Sequence, residues 1–75
     1  SAPPDPLSDP SDTDGPGWLT RAQAAHSAAN LPAALVAARR SIALGCRDGY
    51  AMAASVCDEL RLSKSAAAYR RAITP

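Results

Sequence analysis

Few residues in this chain are equipped for chemistry. His26 is the sole histidine, and Cys46 and Cys57 are the only thiols. Nucleophilic catalysis needs a thiol or hydroxyl held against a base that a third group orients. No serine or cysteine stands in such a motif with His26. A His26–Cys57 pair would rest on shared helical register alone, with nothing to supply an oxyanion hole or a substrate pocket. No catalytic residue is therefore assigned, and the chain reads as non-enzymatic. Metal binding fails on the same count: Cys46 and Cys57 are well separated and joined by a single histidine, short of a four-ligand zinc pattern. No metal or cofactor is implied. Cys46 falls in a loop and Cys57 about two turns into the following helix, which puts them beyond bridging distance. They read as free thiols behaving as small hydrophobes, which fits the cytoplasm.

Arginine offers the other chemistry. Arg39-Arg40 and Arg70-Arg71, with Arg47, Arg61 and Lys64, could contact phosphates. Such binding would be sequence-neutral and sensitive to salt. All eight basic residues follow Gly17, against Asp48, Asp58 and Glu59, leaving +5 on that part; Asp5, Asp9, Asp12 and Asp14 place −4 before it. A balance of +5 is well short of a polybasic segment. Arginine near helix C-termini is also what the macrodipole favours. No aromatic platform, zinc-ligand set or recognition helix accompanies these side chains, so a nucleic-acid partner is disfavoured.

These residues must be positioned by something small. The chain has 75 residues, and 1–17 hold five of its seven prolines, four aspartates and one large apolar residue, Leu7. Such a stretch cannot offset its ordering entropy by burial, so 1–17 reads as a disordered acidic Pro/Asp-rich tail or linker, and the whole as part of a larger protein. The remaining residues, 18–75, are close to the smallest size that folds unaided. No run is long enough to span a membrane, and no charged-then-apolar leader is visible. The fold class is all-α. Gly15-Pro16-Gly17, Asn30-Leu31-Pro32, Gly45 to Asp48 and Leu60 to Ser63 punctuate an alanine-rich sequence. They predict four short antiparallel helices at about 17–29, 32–44, 49–60 and 64–73. Gly45 is expected as a left-handed cap, and Asp48 and Ser63 as the N-caps of the third and fourth helices.

An internal repeat organises the four. Leu31, Ala34, Ala37, Arg39-Arg40 and Ile42 align without gaps, at one constant offset, on Leu62, Ser65, Ala68, Arg70-Arg71 and Ile73. Two helices per unit at a period in the thirties mark a helical solenoid. In these residues the chain resembles the tetratricopeptide repeat family, in about two degenerate units. Trp18, Ala22, Leu31, Ala34 and Ser41-Ile42 match the family pattern in the first. Met52, Ala53, Val56, Leu62, Ser65, Tyr69 and Ala72-Ile73 match it in the second. Arg21, Ala25, Ala38 and Gly49 depart from it, which implies closely packed helices with an underfilled core. Trp18 and Tyr69 then read as the large pegs of that core.

The resemblance implies two helix-turn-helix units whose first helices line a concave groove. By register Leu19, Gln23, His26 and Asn30 face it from the first unit, and Tyr50, Ala54, Cys57 and Asp58 from the second. The partner-binding residues are thus expected to be Leu19, Gln23, His26, Asn30, Tyr50 and Asp58. Gln23 and Asn30 would hydrogen-bond a peptide backbone, while Leu19 and Tyr50 supply apolar contact. The expected function is docking of a protein partner or peptide segment, or self-association. The alternatives are a small basic nucleic-acid-binding domain and a docking domain joining subunits of a multienzyme.

Overall fold

The computed structural model of the chain describes residues 10–11 and 13–73. These form four helices and no strand: α1 (Gly15–Ser27), α2 (Leu31–Ala43), α3 (Gly49–Glu59) and α4 (Ser63–Ile73). Every boundary lies close to its sequence expectation, the start and end of α1 having moved furthest, toward the N-terminus. None of the described helices is long and apolar enough to cross a membrane.

The first three helices end in the same way. Ala29, Gly45 and Arg61, evenly spaced along the chain, have φ of 60°, 90° and 62°. At each, the residue itself donates to the carbonyl three positions back and the next residue to the carbonyl five back. The bonds are Ala29–His26 and Asn30–Ala25, Gly45–Ile42 and Cys46–Ser41, Arg61–Asp58 and Leu62–Cys57. This is the Schellman arrangement, which satisfies the last carbonyls of a helix. Glycine enters the left-handed region at no steric cost; alanine and arginine hold it at a cost that the two backbone bonds offset.

The helix starts differ from one another. The Asp14 carboxylate accepts from the Gly17 N–H at 2.9 Å and opens α1. The Asn30 side chain accepts from the Ala33 N–H at 3.4 Å and opens α2. Asp48 is itself helical, at φ −63° and ψ −19°, and makes no capping bond, so the expected cap is absent. Ser63 is already the first residue of α4, and the Leu62 carbonyl takes the Ala66 N–H at 2.9 Å.

The tail expectation needs correction at its inner end. Residues 1–9 and 12 lie outside the described residues. Beyond them, Gly15, Pro16 and Gly17 form the first turn of α1, with proline in the position where its missing N–H costs nothing. Upstream of that, the Ser11 carbonyl accepts the Trp18 indole N–H at 3.1 Å.

Packing runs in chain order. α1 lies on α2, α2 on α3 and α3 on α4, α1 also touches α3, and α4 meets neither α1 nor α2. The result is an open array of helix-turn-helix pairs, since a closed bundle would bring α1 and α4 together. Its core is built from small residues. Ala22, Ala34, Ala38, Ala53, Val56, Cys57 and Ser41 have no exposed surface, and Val56, Cys57 and Ser41 are the largest side chains so enclosed. Each alanine methyl contributes on the order of 0.8 kcal/mol, so close helix approach does the rest. α3 comes close to α2 at Gly49, where a Cβ would lie 2.9 Å from Ile42 Cγ1 and 3.1 Å from the Ala38 carbonyl, and would collide with Ser41 Oγ. Trp18, 4% exposed, is the one large buried ring among the described residues, and Tyr69 packs half-buried against the same cluster.

The fold sets the repeat one position longer than the sequence alignment does. Buried Ala22 and Ala34 recur as buried Ala54 and Ala66, and the turn at Ala29 recurs at Arg61. Ser65, set opposite Ala34 by the alignment of the arginine pairs, is exposed.

Candidate docking groove

The first helices of the two units, α1 and α3, enclose a shallow groove of about 340 Å³ lined by Leu19, Gln23, Asp48, Ala51, Met52 and Ser55. On α1 the residues are one turn apart. Asp48, just before α3 and itself helical, and Ala51, Met52 and Ser55 on α3 fall at i, i+3, i+4 and i+7, one face of a helix. Leu19 and Met52 are half-buried, while Gln23, Asp48, Ala51 and Ser55 are exposed. The floor is apolar and the walls can donate and accept hydrogen bonds. One turn beyond Gln23 and Ser55, His26 Nε2 meets the Glu59 carboxylate and ties α1 to α3.

Of the six expected partner-binding residues, Leu19 and Gln23 line this groove. His26 lies in the same seam with its Nε2 engaged by Glu59. Asn30 does not face the groove: its side chain caps α2, and it borders a separate depression with Arg21, Ala24, Ala25, Ala28 and Ala33. Tyr50 turns toward α4, its ring centroid 6.4 Å from that of Tyr69 at 49°. Asp58 also points to α4, where both its oxygens are bonded by Arg70. Ala54 and Cys57, placed on the same face by the sequence, are buried.

Three of these misplacements, Tyr50, Ala54 and Cys57, share one cause. Tyr50, Ala54 and Cys57 follow Leu19, Gln23 and His26 at the offset of the arginine pairs, whereas the folded units repeat one position later. One residue on a helix turns a side chain by about 100°, enough to move a whole stripe from the groove to the α3–α4 interface. At the correct offset Leu19 and Gln23 lead to Ala51 and Ser55, both groove residues. Two signals could have found the register: aromatic Trp18 leads to aromatic Tyr50 at that same offset, and Ala22 leads to Ala54.

The electrostatics follow from these contacts. Hydrogen bonds from Arg70 hold the Asp58 carboxyl below the usual carboxylate range, with the guanidinium charge adding to them. Burial pushes the Cys57 thiol up; Asp58 adds to the rise and Arg39 opposes it. A buried thiol with a raised pKa is a poor nucleophile, and His26 is bonded to Glu59 rather than to Cys57. Cys46, half-buried, and Cys57 are both free thiols. Among the described residues no group of three or more histidine, cysteine or acidic side chains is arranged to hold a metal ion. Of the paired arginines, Arg40 lies over the Trp18 ring and Arg70 is bonded to Asp58.

No protein-family model matches this chain, and no curated protein or solved structure matches it.

Proposed function

We propose that this chain is a non-catalytic docking module of two degenerate tetratricopeptide-like units, acting in the cytoplasm, which holds a segment of a partner protein in the α1–α3 groove. The observation that carries the reading is the groove's composition. An apolar floor of Leu19, Ala51 and Met52 runs between the exposed Gln23 amide, the Ser55 hydroxyl and the Asp48 carboxylate. Methionine adapts its shape to varied contacts, and the polar walls can pair with a peptide backbone. Asp48 makes no capping bond within its own helix and is the one charged side chain lining the groove among the described residues. Its carboxylate selects a segment with lysine or arginine next to an apolar anchor. The arginines speak less for phosphate binding, because Arg40 and Arg70 are engaged on different helix pairs. Two free thiols suit a reducing compartment.

Selection of random displayed peptides against the immobilised full chain tests this. The selected peptides should share a basic residue beside an apolar one. They should lose affinity about tenfold or more for Met52→Glu, which sets a charge in the floor, with no change in the helical spectrum; a tenfold loss is about 1.4 kcal/mol. Asp48→Asn should weaken only the peptides that carry the basic residue. Peptides that bind Met52→Glu as well as the parent chain would sink the groove reading.

A further inference from the structure

The two units join where α2 lies on α3. Gly49 and Ala53, one turn apart on α3, form the seat. A Cβ at Gly49 would run into Ser41, Ile42 and the Ala38 carbonyl of α2. Ala38 and Ala53 have no exposed surface and belong to one buried cluster. Small side chains on both helices let the two approach, because a larger one would have to displace a close-packed neighbour.

The folded repeat carries this junction to both ends of the array. At the offset that takes Ala22 to Ala54, Ala38 of α2 leads forward to Arg70 of α4, and Ala53 of α3 leads back to Arg21 of α1. The face of α4 that corresponds to the joining face of α2 thus holds an arginine in place of an enclosed alanine. The face of α1 that corresponds to the seat on α3 does the same. Arg70 is bonded to both oxygens of Asp58, and Arg21, half-buried, borders the crease between α1 and α2 with Ala33 and Val36. Gly17 is the counterpart of Gly49, but the space over it is taken by the Asp14 carboxylate that caps α1. Arg40 raises no such obstacle, since its counterpart Ala72 is exposed.

We propose that Arg21 and Arg70 finish the array at its two ends and bar a second copy from stacking on either. If α4 of one copy lay on α1 of another as α2 lies on α3, Arg70 of the first would come against Arg21 of the second. At the inner junction those positions hold alanines with neither room nor water around them. A guanidinium is costly to enclose there unless it is paired and fully hydrogen-bonded, and the bulk of two arginines would hold the helices apart. The contact so prevented is head-to-tail, a kind that does not close on itself and grows into filaments. An open array of stacked units is exposed to that hazard, and a polar outer face at each end counters it. The proposal concerns faces other than the groove and does not depend on the groove's function.

Sedimentation equilibrium on the full chain tests it. The parent should keep the mass of one chain at concentrations up to about 1 mM, enough to reveal weak contacts. Arg21→Ala/Arg70→Ala restores the alanines of the inner junction at both ends. Its weight-average mass should climb with concentration to about twice the parent's or more, as expected of an open head-to-tail series. Each single variant should behave as the parent, because its other end still carries an arginine. Mixing the two single variants should give one-to-one pairs and nothing larger, since only one junction can form, and this mixture decides the matter if the double variant loses its helical spectrum. A double variant with the parent's helical spectrum and the parent's mass overturns the proposal. So does a mixture that stays at the mass of one chain, or a parent that itself grows with concentration.

Discussion

Arg40 lies over the indole of Trp18, its guanidinium carbon 4.7 Å from the ring centroid. The contact joins α2 to α1, and it covers the one large ring in a core otherwise made of small residues. A guanidinium so placed is attracted by the ring's negative face, and its methylene stem adds apolar contact. Arg40→Ala should lower stability by about 1 kcal/mol and shift the emission of the single tryptophan to longer wavelength. Arg40→Lys should recover little of this, because an ammonium lacks the planar stacking surface. Tryptophan fluorescence during urea unfolding reads both effects.

The α2–α3 crossing gives a second expectation. Because a Cβ at Gly49 would meet Ser41 Oγ, Ile42 Cγ1 and the Ala38 carbonyl, Gly49→Ala should destabilise the fold by about 1–3 kcal/mol. This runs against alanine's better helix propensity. Combining it with Ser41→Ala should return part of the loss, since the hydroxyl is one of the three obstacles. Thermal unfolding of the two single variants and the double variant gives the coupling.

Two aspartates at helix starts should behave differently. Asp14→Ala removes an acceptor 2.9 Å from the Gly17 N–H and should cost about 1 kcal/mol. Asp48→Ala removes no capping bond and should stay within about 0.5 kcal/mol of the parent. Equal losses in chemical denaturation would contradict this assignment of the caps.

Acid should weaken the α3–α4 contact through Asp58. Its folded-state pKa is lowered by the hydrogen bonds from Arg70, so the folded state favours the ionised form more than the unfolded chain does. The stabilisation is full above the ordinary aspartate value of about 3.9 and fades as pH falls through the lower folded-state value. Asp58→Asn should lack this component, leaving a melting temperature that drops less below about pH 4 than the parent's. Both groups are solvent-exposed, so the difference should shrink in concentrated salt.

Much of the architecture is legible in the chain because its punctuation is local. Pro16, Pro32 and Gly45 mark starts and stops that depend only on backbone chemistry, and all four helices fall close to where these signals put them. Non-local choices are less legible. Nothing in Ala29 or Arg61 announces a left-handed residue; tertiary packing places the turn there, and the backbone bonds hold it. Asp48 has the right side chain for a cap, yet its own backbone is helical and the residue lines the groove instead.

The site is half-legible for a related reason. Leu19 and Gln23 follow from the first unit's own periodicity, while the second unit's face depends on the register between units. Alanine-rich segments align almost as well at one offset as at the next, because alanine carries no shape to penalise a slip. The matching arginine pairs favour the shorter offset, although Arg40 and Arg71 are not in equivalent positions in the fold. Tyr50 shows the consequence: its loss should reach Tyr69 and the α3–α4 interface before it reaches any partner.

An alanine core also shapes the response to temperature. The heat-capacity change of unfolding scales with the apolar surface exposed and averages about 12–15 cal/mol/K per residue in ordinary domains. With Val56, Cys57 and Ser41 as the bulkiest fully enclosed side chains, this chain uncovers less apolar surface per residue when it opens. Its heat-capacity increment should fall below that average, and its stability curve should be correspondingly flat. Modest stability at the optimum would then persist over a broad span of temperature, with little of the loosening in the cold that strongly hydrophobic cores undergo.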